Sequence, residues 1–207
     1  DDFQRMILEE LIENNDYLIR DSKVHYDAGR AMDRELLINF IKMTQPKEYE
    51  KLEKIYGTEI EEPYSSSMFT KTDVTIINVI RNQIIHSSLI NVIKHGVEFE
   101  NGVSLKLSYK KNATNFNEEA NRLYNLNTLS VMEEVYHKEG ERIDLVIFLN
   151  GLAIFAFELK VDSQKVGRAI NQWKTERDHS TALTSFKSGV LVAFAMDLND
   201  VYMCTNL

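Results

Sequence analysis

Two apolar runs joined by an Asn-Gly dipeptide constrain the fold of this chain more than any other feature. Residues 143–149 and 152–159 are each long enough for a buried strand, and Asn150-Gly151 stands between them. Asn-Gly between two such runs is the strongest short-range signal for a β-hairpin with a two-residue turn. The sequence therefore predicts a hairpin in the core of a sheet rather than at a polar edge.

Three charged residues interrupt these apolar strands: Asp144 in the first, and Glu158 and Lys160 at the end of the second. Burying an unpaired charge costs several kcal/mol, so each one requires an explanation. Glu158 and Lys160 are two positions apart and share a strand face. Two carboxylates and an ammonium group on one face predict a Mg²⁺-dependent hydrolytic site, with Asp144 and Glu158 as ligands. The alternative is a solvated Glu–Lys ion pair, with Asp144 hydrogen-bonded at the entrance of its strand.

The remaining patterns divide the chain into a helical and a mixed half. Apolar stripes at helical spacing cover residues 7–12 and 36–41, a third helix is expected from Pro46 to Gly57, and Asp73 is expected to cap one or two helices that Gly96 ends. The strand candidates beside the hairpin are 103–107, 128–136, 189–196 and 201–205, and residues 165–178 are typical of a helix. The order predicts an α/β (α+β) fold in which a mixed central sheet is flanked by helices. We expect one compact domain, with a mainly helical part, residues 1–100, packed on a core of residues 101–207.

Composition narrows the class of protein. The net charge of −8 argues against a protein that coats DNA electrostatically. Cys204 is the only cysteine, which excludes an intramolecular disulfide and a four-cysteine zinc site, and the five histidines lack ligand spacing. No apolar run reaches the roughly 18 residues of a membrane span, and the N-terminus does not resemble a secretory signal. We therefore expect a cytoplasmic protein without a membrane partner.

The charge is distributed unevenly along the chain. Residues 1–62 carry nine basic and sixteen acidic side chains, whereas residues 160–190 carry six basic and three acidic ones. The basic surplus follows Glu158 and Lys160 directly and is read either as a DNA-facing helix or as a solvated helix face. The acidic first part suits a basic surface on a partner protein.

The spacing of Asp144, Glu158 and Lys160 resembles the PD-(D/E)xK nuclease superfamily, and the surrounding sequence is more specific. "RIDLVIFLNGLAIFAFELK" is similar to the Asp-(I/L)-V-x-F-x-N-G-L-P-x-x-x-x-E-L-K pattern of type I restriction subunits. "AMDRELLINFIKMTQPKEYEKL" and "VLVAFAMDLNDVYMCTNL" resemble two further segments of that family, in its order. Together they cover most of residues 26–207 and identify the chain as similar to the N-terminal endonuclease domain of the restriction subunit.

The resemblance implies a restriction-endonuclease-like core and Mg²⁺-dependent cleavage of double-stranded DNA. Asp144 and Glu158 would ligate the metal. Lys160 would orient the attacking water or stabilise the negative charge that develops. The family's partners are methylation and specificity subunits, and ATP is used by its motor. No G-x-x-x-x-G-K-S/T motif occurs in this sequence, so ATP binding is expected only in motor domains of the full-length subunit.

Two further positions are compared with the family. Its glutamine–tyrosine motif matches Gln172, a candidate catalytic residue, but Glu176 stands where the tyrosine belongs and Trp173 is the nearest aromatic. Some members of the superfamily use a glutamate of the first helix near the metal. Glu9 and Glu10 are the only candidates here, and a solvated helix face is the favoured interpretation of both.

Two alternatives stay open beside the restriction endonuclease. A repair or junction-resolving nuclease would use the same three residues on branched or broken DNA. A non-catalytic domain that docks a motor onto its partner subunits would account for the acidic first part.

The hairpin carries a geometric expectation. An ideal two-residue turn pairs Leu149 with Leu152 and sets Asp144 opposite Phe157. Asp144 and Glu158 would then lie on opposite faces of the sheet and could not share a metal. A three-residue loop or a β-bulge would return both to one face. We therefore expect that this hairpin is not of the plain two-residue type.

Overall fold

The structure, a computed structural model, describes residues 2–64, 67–113, 116–161 and 166–206. Within these ranges the chain forms eight α-helices and one π-helix. The helices are α1 (Asp2–Glu13), α2 (Ser22–His25), α3 (Arg34–Thr44), α4 (Pro46–Tyr56), α5 (Lys71–His86), α6 (Leu89–His95), α7 (Glu118–Asn125), α8 (Val166–Asn171) and the π-helix Gln172–Glu176. The strands are β1 (Leu18–Ile19), β2 (Tyr26–Asp27), β3 (Met32–Asp33), β4 (Ile60–Tyr64), β5 (Ser67–Thr70), β6 (Val97–Glu98), β7 (Ser104–Leu105), β8 (Leu129–Lys138), β9 (Glu141–Leu149), β10 (Leu152–Leu159), β11 (Val192–Met196) and β12 (Val201–Cys204).

The central sheet has the order β1-β8-β9-β10-β11-β12 and is mixed, as the sequence predicts. β9 and β10 are antiparallel, whereas β10 and β11 are parallel and are connected through α8 and the π-helix. The first part of the chain also contributes strands, because β1 runs parallel to β8 and β3 pairs with the beginning of β10. These two-residue strands are too short to show an alternating pattern, so the sequence did not reveal them.

Helices cover both faces of the sheet. On one face α1 packs through Phe3 and Leu8, and on the other the α8 segment packs through Ala169 and the π-helix through Trp173. Helices α3 to α6 form a third apolar cluster, which reaches the sheet at Leu152. This coverage explains why β9 and β10 are apolar along most of their length, since each buried large side chain contributes roughly 1.5–3 kcal/mol.

Several helix boundaries follow the sequence and one does not. The helix from Pro46 is confirmed and ends at Gly57, and the long apolar stretch is divided into α5 and α6. The expectation that Asp73 caps α5 is wrong. Thr70 is the N-cap, and Asp73 is the third residue of the helix and completes a capping box with it.

The predicted strand at 103–107 is also placed differently. Only Ser104–Leu105 is a strand, and it pairs with β6 in a small separate sheet beside the helical cluster. Three consecutive serines, Ser65 to Ser67, directly after Pro63-Tyr64 predict a loop from the sequence. Ser65 and Ser66 lie outside the described residues, and Ser67 begins β5.

The Asn-Gly turn has the geometry of a plain two-residue hairpin. Asn150 has φ 50° and Gly151 has φ 85°, as a type I′ turn requires, and Leu149 pairs with Leu152. The longer loop is therefore wrong as an explanation, whereas the second alternative, a β-bulge, is confirmed, because the ladder shifts by one residue between Ala153 and Phe155. The backbone preferences of Asn150 and Gly151 determine the type of turn, and the strand register changes further along β10.

Replacing Gly151 by alanine should destabilise the fold strongly. A Cβ atom there would lie 2.3 Å from the carbonyl oxygen of Asp33 and 2.8 Å from the backbone nitrogen of Leu37, and its φ is unfavourable for alanine. Gly140 is the matched control because its φ is 78° and a Cβ would meet nothing within 4 Å. We expect Gly140→Ala to cost about 1 kcal/mol of unfolding free energy and Gly151→Ala at least about 3 kcal/mol in urea titrations. Equal losses would contradict this close packing of the turn.

Candidate active site

A β-bulge in β10 determines where the predicted site residues point. Ala153 pairs with Phe148, but the next pair joins Phe155 to Ile147, so Ile154 is an extra residue on its strand. Ile154 is buried and belongs to the cluster beneath α1. From this point to the end of β10 the ladder is shifted by one residue.

The shift returns the two acidic residues to the same face. Phe157 pairs with Leu145, so the next positions, Glu158 and Asp144, lie opposite each other. The Asp144 carboxylate also accepts a hydrogen bond from the backbone N–H of Leu159 through Oδ2, at 2.7 Å. A ladder without the bulge would have set Asp144 opposite Phe157 and separated the acids.

Lys160 lies between the two carboxylates. Its Nζ is 3.9 Å from Oδ2 of Asp144 and 3.8 Å from Oε2 of Glu158. Its backbone N–H donates to the carbonyl oxygen of Met196, at 2.9 Å, which holds the end of β10 against β11. The structure thus brings together all three residues that the sequence singled out in the hairpin.

Glu158 is the most enclosed of the three. Its side chain is 1% exposed, against 18% for both Asp144 and Lys160. Burial, reinforced by the negative charge of Asp144, raises the pKa of Glu158 to about 7, and the positive charges of Arg177 and Lys160 oppose this rise. A carboxyl group whose pKa is raised by burial and by a neighbouring acid is typical of functional sites.

The strongest partner of Glu158 is Arg177, which sequence reasoning did not select. The Nε of Arg177 donates to Oε1 of Glu158 at 2.8 Å, and Nη2 donates to the same oxygen at a shorter distance. The Arg177 side chain is only 10% exposed. Its position in the basic segment after β10 was the only signal in the sequence, because the contact joins residues on two different elements.

Arg177 follows directly on the π-helix that Gln172 begins. The backbone N–H of Arg177 donates to the carbonyl oxygen of Gln172 at 3.0 Å, five residues back, as in a π-turn. The continuous α-helix expected for residues 165–178 is therefore wrong over Gln172–Glu176. The side-chain Oε1 of Gln172 is buried and has no hydrogen-bond partner, and among the described residues no hydrogen bond joins it to Asp144, Glu158 or Lys160.

The family model described as type I restriction enzyme R protein N terminus matches residues 5–207, which is nearly the whole chain.

The chain belongs to this family.

No curated protein matches the sequence. In this member of the R protein family, no helix of the described ranges is long and apolar enough to cross a membrane.

Trp173 does not take the place of the tyrosine that the family's motif has after Gln172. Its ring is buried between the π-helix and the sheet, and its Nε1 donates to the carbonyl oxygen of Phe194 at 2.9 Å. Glu176, which occupies the position of that tyrosine, is exposed. This R protein domain therefore has no aromatic side chain from the motif at the site.

The first-helix acids lie away from the site. Glu9 and Glu10 are exposed, and α1 packs on the sheet face opposite that of Glu158. Glu10 accepts a hydrogen bond from Asn14 at 2.7 Å, and Glu9 lies 3.7 Å from Arg5. Both fit the solvated-face interpretation.

The ligand atoms available in this R protein domain suit Mg²⁺ better than a metal ion whose ligands must all come from protein side chains. Among the residues that the structure describes, no group of three or more His, Cys, Asp or Glu side chains is arranged to hold an ion. Mg²⁺ needs only one or two carboxylates because it retains several waters. Asp144 and Glu158 would supply that pair. Burial and, after it, the negative charge of Asp144 raise the pKa of Glu158, and a cation would offset the repulsion between the two carboxylates.

Proposed function

We propose that this chain is the Mg²⁺-dependent endonuclease domain of a type I restriction enzyme and hydrolyses phosphodiester bonds of double-stranded DNA. The bulge at Ile154 carries the proposal, because it places Asp144 and Glu158 on one face beside Lys160. The match to the R protein family over residues 5–207 supports the same conclusion. Sequence specificity would come from other subunits.

Asp144 and Glu158 would hold the metal through Oε2 of Glu158 and the Asp144 carboxylate. When bound, Mg²⁺ lowers the pKa of a water and offsets charge on the phosphate. Lys160, within 4 Å of both carboxylates, is placed to orient that water or to stabilise the negative charge that develops on the phosphate. Gln172 would orient a water through its unpaired Oε1.

The proposed partners are double-stranded DNA and the methylation and specificity subunits of the complex. ATP would be used by motor domains of the full-length subunit, since these 207 residues contain no phosphate-binding G-x-x-x-x-G-K-S/T loop. A repair nuclease would share the hairpin, but the family match extends over the helical segments as well and favours the restriction enzyme. A docking role for the acidic first part is compatible with nuclease activity.

Metal binding to the chain is the direct test. We expect calorimetric titration with Mn²⁺ or Mg²⁺ to show binding to the wild-type chain and a loss of at least about 10-fold in affinity for Asp144→Asn. Asp16→Asn is the matched control, because Asp16 is exposed and has a positive φ of 57° that asparagine tolerates. Absence of binding to the wild type, or equal affinity of the Asp144 variant, would contradict the proposed function.

A further inference from the structure

We propose that Arg177 is a positioning residue for the metal site. It holds Oε1 of Glu158 and thereby presents Oε2 to the cation, on the side of Asp144 and Lys160. This inference rests on the proposed function and adds a residue that neither the hairpin pattern nor the Gln172 motif contains.

The two oxygens of Glu158 have different surroundings. Oε1 receives both Nε and Nη2 of Arg177, whereas Oε2 lies 3.8 Å from Nζ of Lys160. The same Nζ is 3.9 Å from Asp144, so Oε2 is the oxygen on the side of the second acid. A guanidinium that binds one carboxylate oxygen through two charge-assisted N–H bonds holds that oxygen in place, and the second oxygen then lies on the other side of the carboxyl group.

The neighbours of Glu158 on its sheet face are small and apolar. Its partner in the adjacent parallel strand is Ala195, and Ala156 precedes it on the same face, both almost fully buried. Alanine has no polar side-chain atom, so neither residue can hold the carboxylate. Arg177, with 10% of its side chain exposed, binds it directly.

The backbone around Arg177 is held on both sides. On the N-terminal side the π-turn bond joins its N–H to Gln172. On the C-terminal side Asp178 is bound to the β8–β9 hairpin, because its N–H donates to Glu141 at 2.9 Å and its carboxylate accepts from Lys138 at 2.7 Å. The guanidinium is thus supported by the sheet rather than carried on an unsupported loop.

The π-turn also decides which side chain reaches the carboxylate. In an α-helix, the fourth residue after Gln172, which is Glu176, would lie one turn further along the axis on the same helix face as Gln172. The wider turn brings the fifth residue, Arg177, to a similar position. A third acid beside Asp144 and Glu158 would repel both carboxylates, whereas the arginine binds one of them.

Charge and orientation predict opposite effects on metal affinity. Arg177 is positively charged, so by charge alone its removal would let a cation bind more tightly. If Arg177 instead orients Glu158, its removal would weaken binding. Weaker metal binding after removal of Arg177 therefore indicates a positioning residue. Tighter binding indicates a cation that only competes with the metal for Glu158.

The experiment compares Arg177→Gln and Arg177→Lys with the wild-type chain, using Mn²⁺ calorimetry at about pH 8 and about pH 8.5, both above the pKa of about 7 of Glu158. Because Arg177 lowers that pKa, a weakening that came only from protonation of Glu158 would shrink at the higher pH, whereas a loss of orientation would persist. We expect the Kd for Mn²⁺ to rise about 10-fold in Arg177→Gln and by a smaller factor in Arg177→Lys, which keeps the charge but loses the two-nitrogen contact. Lys174→Gln is the matched control, because Lys174 is exposed on the same π-helix and its loss changes net charge equally.

Unchanged or tighter Mn²⁺ binding in Arg177→Gln would overturn the positioning role. If that variant does not fold, as judged by circular dichroism, Arg177→Lys decides, and a Kd equal to the wild type overturns the inference. A wild-type chain that binds no Mn²⁺ would overturn the proposed function together with it. Wild-type binding that Asp144→Asn removes and Arg177→Gln leaves intact would overturn only the role of Arg177.

Discussion

Replacing Glu158 by glutamine should reduce Mg²⁺-dependent DNA cleavage by the assembled restriction complex at least about 1000-fold, equivalent to about 4 kcal/mol in the activation barrier. The substitution keeps the shape of the side chain but removes one of the two carboxylates that the described residues bring together beside Lys160, and with it half of the charge of that pair. This loss should exceed the 10- to 100-fold effect typical of residues that only support a ligand. Nicking of supercoiled plasmid DNA measures it.

The control for this variant is Glu176→Gln. Glu176 is exposed on the π-helix, so the substitution makes the same chemical change without altering the site. ATP hydrolysis by the complex should be equal in both variants and shows that assembly is intact. Cleavage by Glu158→Gln at the wild-type rate would exclude Glu158 as a metal ligand.

The same substitution should stabilise the metal-free chain at alkaline pH. Burial and the charge of Asp144 raise the pKa of Glu158 to about 7 in the folded chain, against about 4.3 in an unfolded chain. Between these values the folded state binds the proton more tightly, so its unfolding free energy falls as pH rises from about 4.3 to about 7. This shift corresponds to roughly 4 kcal/mol of unfolding free energy, which glutamine, as a neutral analogue of the protonated acid, should retain above pH 7.

Urea unfolding of the wild type and Glu158→Gln at about pH 5 and about pH 8, with a chelator present, measures the effect. The difference between the two proteins is the relevant quantity, because the other titrating groups are common to both. We expect a small difference at the lower pH and a clearly more stable variant at the higher one. Parallel pH dependences would show that Glu158 titrates normally.

Addition of Mg²⁺ should reverse this order of stability. A ligand that binds only the folded state stabilises it in proportion to its affinity, and the glutamine variant lacks one carboxylate for that binding. At about pH 8 the wild type should therefore gain stability with Mg²⁺ while the variant changes little. Such a result would mean that the ionised Glu158 is unfavourable for the metal-free fold and is compensated by the cation.

Local sequence was sufficient for the secondary structure that positions the site. The two apolar runs, the Asn-Gly turn and the interrupting acids predict the β9–β10 hairpin and the residues that meet on it, and the mixed sheet followed from the order of the elements. The helix Pro46–Tyr56 was equally predictable, since Pro46 at its start and Gly57 directly after its end have local backbone preferences. In each case the determining interactions lie within a few residues.

The face on which the acids meet was decided by tertiary structure. The Asn-Gly turn by itself favours a register that separates Asp144 from Glu158, and only the extra residue Ile154 corrects it. Nothing local marks Ile154 as extra, because helices cover both faces of β10 and its apolar residues show no alternation. The bulge becomes defined only when β10 pairs with β9 and β11 simultaneously and each face is packed by its own helix.

The contact between Arg177 and Glu158 was likewise decided by tertiary structure. It depends on a π-turn within a segment whose sequence is typical of an α-helix, and on the attachment of Asp178 to a hairpin far away in the chain. What the sequence determined by itself was therefore the set of chemical groups and the strands that carry them, because these depend on short-range preferences. Their register and their partners were determined only by long-range packing, because that packing alone distinguishes alternatives that differ by a single residue.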